Sequence, residues 1–257
     1  MVGSELDRLA AGSPEVRLAL KIAYYRRSPE AYFTDQLKVR TKDGTLEPFN
    51  LWPCQRPVLE KMLSQRKRTG MIRLVVLKAR QVGLSTLAEG LMSWAVMLNP
   101  NTNGLVVAHD RETAASLFNM SRTYYDHMSL DIKPMKRYST KAEFLFENPN
   151  DDLRPNNPGL GSRLVITSAN NLHSGIGRTL RAVHISEVAR YASPEGIVDV
   201  IFPALAKKPN TVCVIESTAQ YSGLWFKDLC ERAKHPGGDY EFVFVPWYLQ
   251  PDYQVQL

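Results

Sequence analysis

The segment that most constrains this chain runs from Leu74 to Thr86: Leu74-Val75-Val76-Leu77-Lys78-Ala79-Arg80-Gln81-Val82-Gly83-Leu84-Ser85-Thr86. Leu74 to Leu77 are an unbroken apolar run, which predicts a strand covered on both faces, as in a parallel sheet. Ser85 and Thr86 then open an apolar-periodic stretch, Leu87 to Met97, rich in good helix formers. A loop between a buried strand and a helix N-terminus points backbone N–H groups at one spot. Orphan donors and the helix dipole make that spot attractive to phosphate.

The usual phosphate loop reads G-x-x-x-x-G-K-[ST]. Gly83 and Ser85 are in register with it, but Leu84 stands where the Lys belongs and Lys78 where the first Gly belongs. A Lys at the start of the loop can swing back to the same β/γ-phosphate oxygens, so the charge is kept in kind and not in position. The alternative is an ordinary strand-to-helix turn whose basic residues face solvent.

The rest of the chain alternates strand and helix in the manner of an α/β fold with a mostly parallel sheet. Strands are predicted at Leu105–Ala108, Glu143–Phe146, Arg163–Ser168, Ala182–Glu187, Thr211–Ile215 and Phe242–Pro246. Helices are predicted at Val58–Gln65, Glu112–His127, Pro194–Leu205 and Trp225–Lys234. Residues 1–48 read as a helical, peripheral extension, with a helix start at Ser28-Pro29-Glu30 and a short hairpin about Lys42-Asp43-Gly44-Thr45. Ser64-Gln65-Arg66-Lys67-Arg68-Thr69 reads as a basic loop. Residues 131–162 read as irregular apart from the strand at Glu143, with a surface excursion from Asn148 to Gly159.

The 257 residues suffice for one large α/β domain, and no apolar run is long enough to span a bilayer. Cys54, Cys213 and Cys230 are widely spaced and odd in number, which fits neither a zinc site nor a disulfide framework. The net charge of +6 permits a polyanionic partner without identifying one.

Four positions outside the loop bear on chemistry. Ala182-Val183-His184-Ile185-Ser186-Glu187 has the shape of a Walker B strand, delivering polar side chains at its C-terminal end. Ser186 replaces the usual Asp there, and Glu187 remains as a candidate base to activate water. Gln55, on the turn before a helix, can read an adenine edge or simply cap the helix. Ser217 and Thr218, at the end of another buried strand, can sense a γ-phosphate or form a plain turn. His109 is a strand-end residue that can touch substrate or satisfy a local hydrogen bond.

Taken together and in this order, Leu51-Trp52-Pro53-Cys54-Gln55, Lys78 to Thr86, Val183-His184-Ile185-Ser186-Glu187-Val188-Ala189 and Ile215-Glu216-Ser217-Thr218-Ala219 resemble the ATPase domain of the large terminase subunit of tailed bacteriophages. The resemblance covers nearly the whole chain. It implies a P-loop NTPase fold of the ASCE type, with a mostly parallel sheet flanked by helices and a small N-terminal helical extension. The implied division is 1–48 extension, 49–250 ATPase domain and 251–257 the start of a linker to a ribonuclease-H-like nuclease domain outside this chain.

The implied cofactors are ATP and Mg²⁺. Ala79, Arg80, Gln81, Val82, Gly83, Leu84 and Thr86 line the phosphates with Lys78. Ser85 holds Mg²⁺, Ser186 acts on it through water, and Arg80 lies over the phosphates. Glu187 activates water, Gln55 reads adenine, and Ser217 and Thr218 couple hydrolysis to motion. Arg178 is the expected finger toward a neighbouring subunit, with Arg181 beside it. The implied partners are double-stranded DNA, the portal protein, the small terminase subunit and further copies of the chain in a ring of five on the procapsid. The implied setting is the host cytoplasm, without membrane contact. Arg66, Lys67, Arg68, Lys136 and Arg137 are candidate DNA contacts. Two other readings stay open: a helicase-like translocase, which normally carries two tandem motor domains, and a DNA-binding module with a degenerate nucleotide site.

Overall fold

The computed structural model describes residues 13–171, 177–221 and 223–253. Two helices, α1 (Pro14–Arg27) and α2 (Pro29–Gln36), lead into a short antiparallel pair, β1 (Lys38–Arg40) and β2 (Leu46–Pro48). Helix α3 (Arg56–Thr69) precedes strand β3 (Ile72–Lys78), and α4 (Leu84–Met97) follows the loop after it. Then come β4 (Asn103–Ala108), α5 (Arg111–His127), β5 (Tyr138–Ser139), β6 (Glu143–Glu147) and β7 (Gly159–Ser168). The chain closes with β8 (Ala182–Ser186), β9 (Val212–Ser217), α6 (Leu224–Lys234) and β10 (Glu241–Val245).

The main sheet has eight strands in the order β10-β3-β9-β8-β4-β7-β6-β5. The six from β10 to β7 are parallel, and β6 and β5 add an antiparallel edge. All six parallel strands therefore end on one edge of the sheet, where ligands sit in open α/β folds. The insertion of β9 between β3 and β8 matters most for the site. It places the end of β9 between the loop after β3 and the residue after β8.

Side chains alternate across each strand, so the sheet feeds two cores. Leu74, Val76, Val106 and Val214 face α3, α4 and α5, whereas Val75, Leu105, Val107 and Ile215 face α6 and the segment from Val188 to Leu205. This two-sided burial explains why these strands read as continuous apolar runs.

Two expectations are corrected, and a third gains a detail. The basic stretch 64–69 is the last part of α3 and no loop; Gly70, at φ 76°, ends the helix, and Arg66, Lys67 and Arg68 complement the negative end of its dipole. The helix expected over 194–205 forms over 195–204, with a π-helical turn, Ile197–Ile201, ahead of its last turn, Phe202–Ala204. Pro203 has no N–H to offer the carbonyl of Asp199, and the coil widens there. Strand β7 starts at Gly159, inside the stretch expected as a surface excursion, because Phe144 and Phe146 of β6 bury their rings against the main core.

The N-terminal extension is also not peripheral. Tyr32 and Phe33 are fully buried. Phe33 stacks on Phe49 at 5.2 Å, and Phe49 stacks on Tyr124 of α5 at 6.3 Å. Gly90 of α4 makes room for this column, since a Cβ there would come within 2.8 Å of the Phe49 ring. The Trp94 indole N–H donates to the Tyr25 carbonyl at 2.8 Å. The sequence of 24–36 did not reveal this, because the partners are 16 to 69 residues away. Phe33→Ala should cost about 3–5 kcal/mol of stability, as expected for a buried ring. Urea unfolding followed by circular dichroism measures it, and a loss below roughly 1 kcal/mol would contradict the packing described here.

Candidate functional site

The loop between β3 and α4 is fixed from outside by its carbonyls. Tyr253 Oη donates to the Gln81 carbonyl at 2.8 Å, Cys54 Sγ to Val82 at 3.3 Å and Gln55 Nε2 to Gly83 at 2.7 Å. A trans peptide points its N–H opposite its C=O, so the N–H groups of Val82, Gly83 and Leu84 face away from those donors and stay available to an anion. Gly83 is at φ 67°, and a Cβ there would stand 2.7 Å from Gln55 Nε2 and 3.2 Å from the Trp52 ring. Both backbone conformation and space therefore require glycine. Gln81, at φ 59°, shares the left-handed conformation without being glycine.

Lys78 ends β3 and is buried. Its ammonium lies 2.8 Å from Glu187 Oε1 and 3.0 Å from Glu216 Oε2. Burial alone would lower its pKa, but the Glu216 and Glu187 carboxylates hold it above the ordinary lysine value. Glu187 turns the chain sharply after β8 in the left-handed region, at φ 55°. Its Oε2 accepts from the Thr218 N–H and hydroxyl, both at 3.3 Å, and from Ser217 Oγ at 3.4 Å. The residues expected to catalyse and to couple thus meet at one carboxylate.

Glu216 was not singled out by the sequence. It is fully buried on β9, under the first turn of α4. Its Oε1 accepts from Ser85 Oγ at 2.9 Å and from Ser186 Oγ at 2.8 Å. His184 Nε2 lies 3.4 Å away from the same oxygen, and His184 Nδ1 lies 2.7 Å from Glu89 Oε1. Ser121 Oγ donates to the other Glu89 oxygen at 2.8 Å. Carboxylates on both ring nitrogens favour the doubly protonated imidazolium at His184. Burial opposes that charge, yet the hydrogen bonds to Glu216 and Glu89 raise its pKa to about 9. Burial likewise favours the neutral acid at Glu216, but the Lys78 ammonium and His184 hold its carboxyl at about 2. The available signal was a single ionisable residue inside each of three apolar runs: Glu89 in α4, His184 in β8 and Glu216 in β9. Nothing in sequence says that they meet.

The other expected residues are placed as follows. Ser186 is buried and bonded to Glu216. Thr86 follows Ser85 in α4, and its carbonyl accepts from the Tyr124 hydroxyl at 3.2 Å. Ala79 donates its N–H to the Val245 carbonyl at 2.9 Å. Arg80 is exposed on the loop. Gln55 is buried with both ends of its amide engaged, Nε2 to the loop and Oε1 to the Trp52 N–H at 2.9 Å. It braces the loop in this state, and reading a base would require it to exchange one of these bonds. Arg178 is exposed and stands apart from the loop. The neighbouring Arg181 N–H and Thr179 carbonyl bond to Asn103, at the start of β4 and the opposite end of the sheet. Arg190 is instead on the loop's side of the sheet, 3.4 Å from His109 Nε2.

Most of the candidate DNA contacts are engaged within the chain. Arg66 lies 4.8 Å over the Trp94 ring, Arg68 pairs with Glu241, Lys136 lies 4.3 Å over Tyr125, and Arg137 pairs with Glu147 at 3.3 Å. Among the described residues, no three His, Cys, Asp or Glu side chains form a group that could hold a metal ion, and no helix is long and apolar enough to cross a membrane. A site with one buried carboxylate and nearby hydroxyls suits a hard ion that shares its coordination with a bound phosphate, as Mg²⁺ does.

Strand order, loop and site define the fold of a P-loop NTPase domain. Solved structures bear this out. The ATPase domain of the Thermus phage P74-26 large terminase matches with a TM-score of 0.56 at 17% identity, over 72% of this chain and 79% of that one. The HK97 bacteriophage large terminase matches with a TM-score of 0.62 at 18% identity, over 86% of this chain and 43% of that one. The chain thus spans less than half the length of the HK97 protein, and at these identities the likeness is one of fold. No protein-family model matches the chain, nor does any curated protein sequence.

The His184 pKa gives a stability prediction for the unliganded chain. Its folded value, about 9, exceeds the ordinary 6.5, so its contribution is full below about pH 6.5 and is lost as pH rises through 9. The groups facing it are Glu89 and Glu216, with Lys78 beyond the latter. The urea midpoint of the parent should therefore fall toward that of His184→Asn between pH 6 and 9.5. A gap between the two that stays constant over that range would contradict the charged assignment.

Proposed function

We propose that this chain is the ATP-hydrolysing motor domain of a viral DNA-packaging terminase. The observation that carries the reading is the meeting of Lys78, from the first position of the loop, with Glu187, from the end of β8, at 2.8 Å. A displaced lysine and a lone acid are each unremarkable in sequence. Their convergence beside backbone N–H groups left free by outward-braced carbonyls is what phosphoryl transfer to water requires.

In this reading the N–H groups of Val82, Gly83 and Leu84 receive the phosphates, with Arg80 at the rim. Lys78 turns from the two carboxylates to the β/γ-phosphate oxygens. That releases Glu187 Oε1, while Oε2 stays on Thr218. Glu187 then orients a water and accepts its proton. Thr218 and Ser217 report the state of Glu187 to the end of β9. The hydroxyl of Ser85, with Ser186 behind it, fits a Mg²⁺ ion, whose chemistry is to neutralise charge on the transferred phosphoryl group. Arg178, remote from the loop of its own chain, fits a role on a neighbouring copy in a ring. Double-stranded DNA held through its phosphates, a portal protein and a small terminase subunit are the partners that the reading carries, in a host cytoplasm.

Mg²⁺-dependent ATP hydrolysis across a wide range of protein concentrations tests it. Glu187→Gln should lower turnover by about 10²–10⁴-fold, the usual weight of a general base. Lys78→Ala should lower both nucleotide affinity and turnover. The rate per chain should climb with concentration, and Arg178→Ala should abolish the climb. Turnover in Glu187→Gln equal to the parent's would defeat the assignment.

A further inference from the structure

We propose that Glu216, on β9, supplies the metal-facing carboxylate that position 186 lacks. The inference rests on the ATPase reading and adds a residue that the sequence pattern does not assign. Ser186 occupies the place of the acid on β8, but its neutral hydroxyl donates to Glu216 Oε1 at 2.8 Å. The loop serine does the same from above, Ser85 Oγ donating at 2.9 Å. The carboxylate is thus displaced by one strand, from β8 to its neighbour β9, and still reaches the hydroxyl at the start of α4. Register permits this, because Ser186 and Glu216 are direct partners across the two strands.

Charge compensation gives the second argument. Glu216 is fully buried, and among the described residues its Oε2 has no partner except the Lys78 ammonium at 3.0 Å. Once Lys78 turns to a phosphate, that oxygen loses its partner and only His184, shared with Glu89, still faces the buried carboxylate, which is strongly unfavourable. A divalent cation beside Ser85 restores the balance. Lys78 therefore stands where the cation's charge is needed, and nucleotide and metal enter together. Glu187 does not fill this role, because the oxygen that Lys78 releases is the one that orients the water, and its other oxygen stays on Thr218. His184, held by Glu89, which accepts in turn from Ser121, is a positioning residue that fixes Glu216 from below.

The test is equilibrium binding of a fluorescent ATP analogue, measured once with Mg²⁺ and once with EDTA. The parent should bind more tightly with Mg²⁺. In Glu216→Gln the Mg²⁺ enhancement should fall by about 10–100-fold, the scale on which single groups around a metal act, while binding in EDTA changes little. Ser186→Asp combined with Glu216→Gln should restore the enhancement by returning the acid to β8. Circular dichroism and a cooperative melt establish that each variant is folded. Should Glu216→Gln not fold, Glu216→Asp takes its place, keeping the charge against Lys78 and shortening the reach; its enhancement should drop several-fold. A folded Glu216→Gln with the parent's full enhancement overturns the proposal, as does an equal loss of binding in Mg²⁺ and EDTA. A parent that binds no analogue in either buffer overturns the ATPase reading and this proposal with it.

Discussion

The buried contact between the Lys78 ammonium and two carboxylates, Glu187 and Glu216, ties the molecule together at its functional edge. Three neighbouring strands, β3, β8 and β9, each send one charged side chain to the same point. Buried charges are tolerated only when paired and hydrogen-bonded, and breaking such a pair from one side costs about 3–5 kcal/mol. The strand order β3-β9-β8 is what satisfies this requirement, because it brings both acids within reach of one short ammonium. The hydroxyls of Ser85, Ser186, Ser217 and Thr218 take up the remaining carboxylate lone pairs. The cluster thus sets two cations, Lys78 and His184, against three carboxylates, Glu89, Glu187 and Glu216.

Support for that cluster comes from well outside it. The stacked column Phe33, Phe49 and Tyr124 packs the N-terminal helices onto α4 and α5, and α4 carries both Ser85 and Glu89. The loop itself is clamped from the turn at Gln55 and Cys54 and from Tyr253 near the end of the described chain. The N-terminal segment and the residues after β10 therefore hold the first turn of α4 in place and are more than connectors. For the proposed hydrolysis a rigid first turn matters, because a donor displaced by about 1 Å loses much of its hold on a developing charge.

Much of the fold was legible because each strand of the parallel sheet is buried on both faces, so composition alone marks Leu74–Leu77, Leu105–Ala108 and Val212–Ile215 as strands. The caps and turns were legible for the same local reasons, as at Gly83 and in the helix start at Ser28-Pro29. The misreadings have physical causes of another kind. Residues 64–69 are strongly polar yet helical, because Gln65 is buried and Gly70 defers the helix end. The aromatic residues of 25–49 looked peripheral because their partners lie on α4 and α5.

At the site, the sequence by itself determined the loop, its displaced lysine, the acid after β8 and the hydroxyls after β9, since each is a local pattern on a strand end. Only the tertiary structure decided that Glu216, His184 and Glu89 converge, and that Gln55 spends its amide on the loop. Local patterning records which residues share a helix face or a strand face. It carries no information on which strand lies beside which, and the partners of a buried charge are set by that adjacency.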